Sequence, residues 1–268
     1  MRRLAFAANV CTVLEPGAVV ARPLAILAPI LAFTWLVLAG PLLLGGLSRP
    51  AAAAEIVDAK IVFAVDASDS IEPWEWRLEL GGIAKALRSP AVQEAIAALP
   101  HRRIAISMLI WADAGAAHLS TGWRLIDGKA SAEAFADEVE IWPRQVGGGT
   151  AMGEGIAASI RLLQSAPYEA RRQVIDVSGD GPEPLQILSD ASILMPEAKA
   201  MAERAGVIVN GLAITKDRPD LVDWYRYNVL SGPGAFLMNV KSMRDFAPAF
   251  EAKLLRELQA EVAMLDGR

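Results

Sequence analysis

The chain has 268 residues, 53% of them hydrophobic, with 26 basic and 31 acidic side chains and a formal net charge of −5. That length suits one medium or two small domains. Past residue 54 the balance is 22 bases against 30 acids, a net charge of −8, which argues against nucleic acid or anionic lipid as a partner.

The apolar excess is local. Residues 24–47, "LAILAPILAFTWLVLAGPLLLGGL", carry no charge and follow Arg2, Arg3 and Arg22. The run is long enough to span a bilayer, which needs about 20 residues. It leads into "SRPAAAAE", where Ala52-Ala53-Ala54 has the small-residue pattern of a signal-peptidase site before Glu55. Residues 1–54 are therefore expected to be a signal peptide or an N-terminal membrane anchor. Residues 55–268 would be an exported domain, periplasmic or secreted, held to the inner membrane by residues 24–47 only if that segment stays uncleaved. The single cysteine, Cys11, lies in the leader, so the exported part must rely on its apolar core rather than on a disulfide.

From Glu55 onward, strand-like and helix-like periods alternate. "KIVFAVDA" (60–67) reads as a buried strand, and "PWEWRLELGGIAKALRS" (73–89) as a helix opened by Pro73 and closed at Ser89-Pro90. "RRIAISMLIWA" (102–112) is a second strand. "HLSTGWRLI" (118–126) is a third, half-exposed one, close enough to form a hairpin and an antiparallel edge. "SAEAFADEVEIW" (131–142) is helical with Ser131 as N-cap. "GGGTAMGEGIAASIRLLQS" (147–165) is a glycine loop running into a helix at 151, and "RRQVIDVSGDG" (171–181) is a strand with a polar end. A helix stopped by Gly206, the strand "VIVNGLAI", the helix "RPDLVDWYRYNVL", the strand "GAFLMNV" and a long closing helix complete the chain. This order predicts an α/β fold: a doubly wound, mostly parallel sheet with one antiparallel edge strand and helices on both faces.

In such a sheet, ligands gather beyond the carboxyl ends of the strands, where the strand order reverses. Three polar groups fall there: Asp66, Ser68 and Ser70 after the first strand, Thr150 in the glycine loop, and Asp180 after the strand that begins near 171. Two carboxylates and three hydroxyls, with no histidine or cysteine, form an all-oxygen set suited to a hard divalent cation.

Asp-x-Ser-x-Ser, then Thr in "GGGTAMGEGI", then Asp in "SGDG" resembles the metal-ion-dependent adhesion site of von Willebrand factor type A domains. The resemblance covers residues 57–260, and "DRPDLVDWYRYNVLSGPGAF" and "DGPEP" are similar to an exported bacterial subfamily of undefined function. It implies a divalent cation, Mg²⁺ first with Mn²⁺ or Ca²⁺ as alternatives, held by Asp66, Ser68, Ser70, Thr150 and Asp180. A carboxylate from a partner protein would complete the shell, making a protein-binding module rather than an enzyme. The stretch "GDGPEPLQILSDASILMPEA" departs from the pattern, and its Glu183 either adds an acid near the metal or obstructs it.

Two other readings compete. "VDAS" and "GDG" are faintly similar to haloacid dehalogenase-type phosphatases, but Ser68 stands where those Mg²⁺-dependent hydrolases need an acid/base aspartate. A purely structural metal site is the other. Asp69 and Glu72 read as solvated loop acids, Asp113 as a strand-end acid without motif support, and Asp176 as structural. Arg102-Arg103 and Arg171-Arg172 read as solvated strand starts, Trp74, Trp76 and Trp111 as packing, and His101 and His118 as isolated. The glycine loop lacks the spacing and the lysine of nucleotide-binding loops.

Overall fold

The computed structural model describes residues 54–116, 118–184, 192–216 and 218–265. The expected leader and Cys11 lie outside the described residues, as does 185–191 of the long stretch after Asp180. Among the described residues no helix is long and apolar enough to cross a membrane.

A short strand β1 (Glu55–Ile56) precedes β2 (Ala59–Asp66), whose eight residues are all buried. Helices α1 (Pro73–Arg88) and α2 (Pro90–Ala97) follow, then β3 (Ile104–Trp111), β4 (Leu119–Ser120), β5 (Arg124–Ile126) and α3 (Lys129–Glu140). Next come α4 (Met152–Gln164), β6 (Tyr168–Glu169), β7 (Arg172–Gly179), α5 (Met195–Ala205) and β8 (Ile208–Ile214). The chain closes with α6 (Leu221–Asn228), β9 (Leu237–Val240) and α7 (Phe246–Leu265).

The main sheet runs β4-β3-β2-β7-β8-β9, with β5 also pairing β3. All pairs are parallel except β4 and β5 against β3. The chain moves outward from β2 to β3 and later returns to the other side of β2 with β7, so the order reverses between β2 and β7. That reversal leaves a crevice beyond their carboxyl ends. β1 pairs β6 in a separate two-stranded ribbon.

Alternation sends the side chains of each strand to two cores. Ile61, Phe63 and Val65 join α1, α3 and α7 on one face; Val62 and Ala64 join α4, α5 and α6 on the other. The expected doubly wound sheet is therefore present, with three local differences. Pro90 does not end helical structure but opens α2, because a proline at the first helical position loses no hydrogen bond. The strand expected over 118–126 is broken into β4 and β5 at Gly122, whose φ of +67° turns the chain. Ser131 caps α3 from inside rather than as N-cap: its hydroxyl accepts the amides of Asp127 and Gly128, the N-cap itself. Gly206 ends α5 in the left-handed region as expected, with φ +65°.

Candidate metal centre

β2 delivers Asp66 to the sheet edge, and the chain turns at once into α1. Asp66 and Ser68 are fully buried, whereas Ser70 is exposed. The Ser68 amide donates to Asp66 Oδ1 at 2.7 Å, closing a tight turn. Hydroxyl contacts carry the set onward: Ser68 Oγ and Ser70 Oγ lie 3.0 Å apart, and Ser70 Oγ donates to Asp180 Oδ1 at 2.6 Å. Asp180 follows β7, the strand beside β2, so the strand reversal places both aspartates at one crevice. Four of the five residues singled out from the sequence thus form a continuous oxygen-lined chain.

The loop that carries Thr150 is tied to the same turn. The amide of Asp69 donates to the Gly148 carbonyl, and the Gly148 amide returns a bond to Asp69 Oδ1, both at 2.9 Å. Gly148 has φ +102°, and a Cβ there would lie 2.9 Å from the Cβ of Asp113, so only glycine fits. The Ala151 amide donates to the Ala112 carbonyl. Thr150 is half-buried, with its hydroxyl outside the bonded chain of the other four among the described residues. Asp69, expected as a solvated acid, is exposed yet joins the two loops.

Burial pushes the Asp66 carboxyl up to about 7, against the hydrogen bonds from Ser68 that favour its charged form. Its Oδ2 is buried with no hydrogen-bond partner among the described residues. An unpartnered buried carboxylate oxygen is costly unless something cationic or donating meets it. The residues present fit a hard dication: an orphan carboxylate oxygen, a second carboxylate and neighbouring hydroxyls, on loops that leave no room for bulk. Among the described residues no group of three or more His, Cys, Asp or Glu is placed to hold an ion, so an ion at this crevice would need hydroxyl ligands as well.

Further residues shape the site without any motif to mark them. The Arg144 guanidinium donates to the carbonyls of Ala67, Ser68 and Ile71, at 2.6 Å to Ser68 and 2.7 Å to Ile71, and so clamps the Asp-x-Ser-x-Ser turn. Glu79 of α1 is buried beneath the site and accepts from Ser178 Oγ at 2.5 Å. Burial pushes its carboxyl up to about 8, and Asp66, Asp180 and Glu75 push the same way. Lys216, just past β8, donates to Asp180 Oδ2 at 2.8 Å and to Glu75 Oε2 at 2.7 Å. Burial lowers the basicity of this amine, but its bonds to the two acids outweigh that and hold its pKa up.

Both carboxylate oxygens of Glu183 are committed to backbone amides. Its Oε1 accepts the Gly153 amide and its Oε2 the Met195 amide, both at 2.8 Å, so one carboxylate caps the starts of α4 and α5. Among the three tryptophans, Trp76 and Trp111 are buried, while Trp74 is 44% exposed on the first turn of α1. His101 is not isolated but pairs with Asp58 at 2.8 Å. Arg172 is not a solvated strand start: it is buried and bonded to Glu257 of α7 at 2.7 Å. Asp176 faces Lys253 of α7 in a second buried pair.

A family model described as "Protein of unknown function (DUF1194)" matches residues 56–262. No curated protein matches the chain. Among solved structures, the pilus adhesin SpaC from Lactobacillus rhamnosus GG is 14% identical with a TM-score of 0.55, over 77% of this chain and 30% of that one. Proximal thread matrix protein 1 from the mussel byssus, solved with a zinc-occupied MIDAS motif, is 16% identical with a TM-score of 0.52, over 76% and 47%. The vWF domain of the type V pili tip protein Mfa5 from Porphyromonas gingivalis is 8% identical with a TM-score of 0.50, over 77% and 97%. The chain spans less than half the length of the first two. At these identities the likeness establishes the fold, which is that of von Willebrand factor type A domains.

Proposed function

We propose, from the premise that the chain belongs to the DUF1194 family and has a von Willebrand factor type A fold, that it is an exported, cation-dependent protein-binding module. The observation that carries this reading is the bonded chain Asp66–Ser68–Ser70–Asp180 ending in the unpartnered Asp66 Oδ2. Asp66, Ser68, Ser70, Thr150 and Asp180 would hold the ion. A bound dication supplies a positive, ligand-accepting centre at the crevice and keeps the buried carboxyls ionised. Mg²⁺ suits the hydroxyl-rich set, with Mn²⁺ or Ca²⁺ as alternatives.

The residues do the rest. Arg144 and the Asp69–Gly148 bonds hold the loops ready, so little ordering is needed on binding. A carboxylate from a partner protein is the chemistry such a centre takes. The exposed Trp74, in the first turn of the helix that follows Ser70, would offer an apolar anchor. The solved relatives that are pilus adhesins or pilus tip proteins support the choice of a protein partner, and the leader sequence supports export. The hydrolase reading finds no proton donor at Ser68, whose hydroxyl is engaged with Ser70.

The test is calorimetric titration of the purified chain with Mg²⁺, Mn²⁺ and Ca²⁺, beside D66A and T150A. Saturable binding lost in both variants is expected. Folded protein that binds none of the three ions, either as wild type or with the Lys216 amine removed, overturns the reading.

A further inference from the structure

The Lys216 ammonium sits where a cation is wanted. Its Nζ lies 2.7 Å from Glu75 Oε2, 2.8 Å from Asp180 Oδ2 and 3.4 Å from the Ser70 carbonyl. The two carboxylates are almost wholly buried, at 5% and 4% side-chain exposure, while Lys216 is 29% exposed and open to solvent. It takes one oxygen of Asp180 while Ser70 Oγ takes the other, so both carboxylate oxygens of that candidate ligand are committed. A serine hydroxyl can turn its proton away and present a lone pair to an ion. An ammonium has only donors, so near a dication it must either leave or remain as a like charge in a poorly solvated crevice.

We infer that Lys216 is a tethered internal cation that competes with the divalent ion for Asp180, so that metal loading drives its amine off that carboxylate and out to solvent. The inference rests on the metal-site reading above and adds a residue that neither the motif nor the fold assigns. It makes two consequences measurable. Without the amine, metal affinity rises, because a positive charge beside the ion is gone and Asp180 Oδ2 is free. Without metal, the amine compensates Glu75 and Asp180, so its loss destabilises the chelator-treated protein.

The experiment uses protein purified from expression of the full chain. Wild type, K216M and K216Q are titrated calorimetrically with Mg²⁺ and Mn²⁺, and each is melted in chelator. Both variants are expected to bind at least about tenfold more tightly than wild type and to melt at a lower temperature in chelator. Binding by the variants alone, with none by wild type, supports the inference in its strongest form. Wild-type binding with equal or weaker binding in folded variants overturns the inference and leaves the metal site standing. No binding by any folded form overturns both. An independent readout needs no variant: amine-selective labelling of wild type, read at Lys216 by mass spectrometry, should rise several-fold on saturation with Mg²⁺. Unchanged labelling in protein that binds the ion overturns the displacement.

Discussion

Asp69 and Gly148 hold each other through two hydrogen bonds of 2.9 Å, one from each backbone amide, to the Gly148 carbonyl and to Asp69 Oδ1. This exchange ties the turn carrying Ser68 and Ser70 to the loop carrying Thr150. A side chain that is 79% exposed thereby sets the distance between two parts of the candidate site.

D69A removes one of the two bonds and none of the candidate ligands. Its metal affinity is expected to fall about tenfold, equivalent to about 1.4 kcal/mol, with little change in melting temperature because the residue contributes nothing to the core. Calorimetric titration and a thermal melt of the same sample check both halves.

D66N separates binding from stability. Asparagine keeps the acceptor for the Ser68 amide and removes a buried charge with an unpartnered oxygen. In chelator the variant should melt at or above the wild-type temperature. Metal at about a hundredfold over its Kd should stabilise wild type by about 3 kcal/mol and leave the variant unmoved.

E183Q tests the double cap. One of the two amides, Gly153 or Met195, loses its acceptor and meets an N–H instead. A loss of about 1–2 kcal/mol in denaturant unfolding is expected, with metal affinity unchanged. A fall in affinity would return Glu183 to the metal site.

The buried pair between α7 and the sheet should behave as a unit. K253M strands Asp176 in the core and is expected to cost about 3–5 kcal/mol. The double variant D176N/K253M should recover most of that, which a double-mutant cycle in urea measures.

Glu257 gives a pH signature. Burial, with Asp176 beside it, pushes its carboxyl from 4.5 to about 7 in the folded chain. The folded state therefore holds the proton more tightly than the unfolded chain, and stability falls as pH rises from about 4.5 to 7. E257Q removes that titration, so urea midpoints taken across this window should decline less steeply than in wild type, even though the variant is weaker throughout. Parallel slopes would assign the proton elsewhere.

The backbone plan and the gathering of Asp66, Ser68, Ser70 and Asp180 at the sheet edge were readable because each depends on local pattern. A run such as "IVFAVD" has to be a buried strand, and a polar cluster after it has to lie at the sheet edge. Arg144 and Lys216 were not readable. Arg144 sits in "WPRQV", where no spacing marks it, and acts on carbonyls more than seventy residues away in sequence. Lys216 meets Glu75 only because β8 lies beyond β7 in the sheet. The charges inside α7 did leave a trace: Lys253 and Glu257 share a helical face with Phe246, Phe250 and Leu254, while Asp176 interrupts an apolar strand opposite. Taken separately these look like solvated charges. Only the packing of α7 on the sheet pairs them.

The position of β2 has a mechanical consequence. The chain enters the sheet at Ala59, at one end of this strand, and the candidate partner site opens at Asp66, at the other. β2 is flanked on both sides by parallel neighbours, β3 and β7. Tension between a captured partner and the chain's N-terminal side would therefore run along the covalent backbone of β2, and the share borne by Asp180 would cross the β2–β7 ladder in shear, engaging its hydrogen bonds together instead of peeling them one by one. Were the chain tethered on its N-terminal side, the pull on a bound partner would lie along the strand at the centre of the sheet.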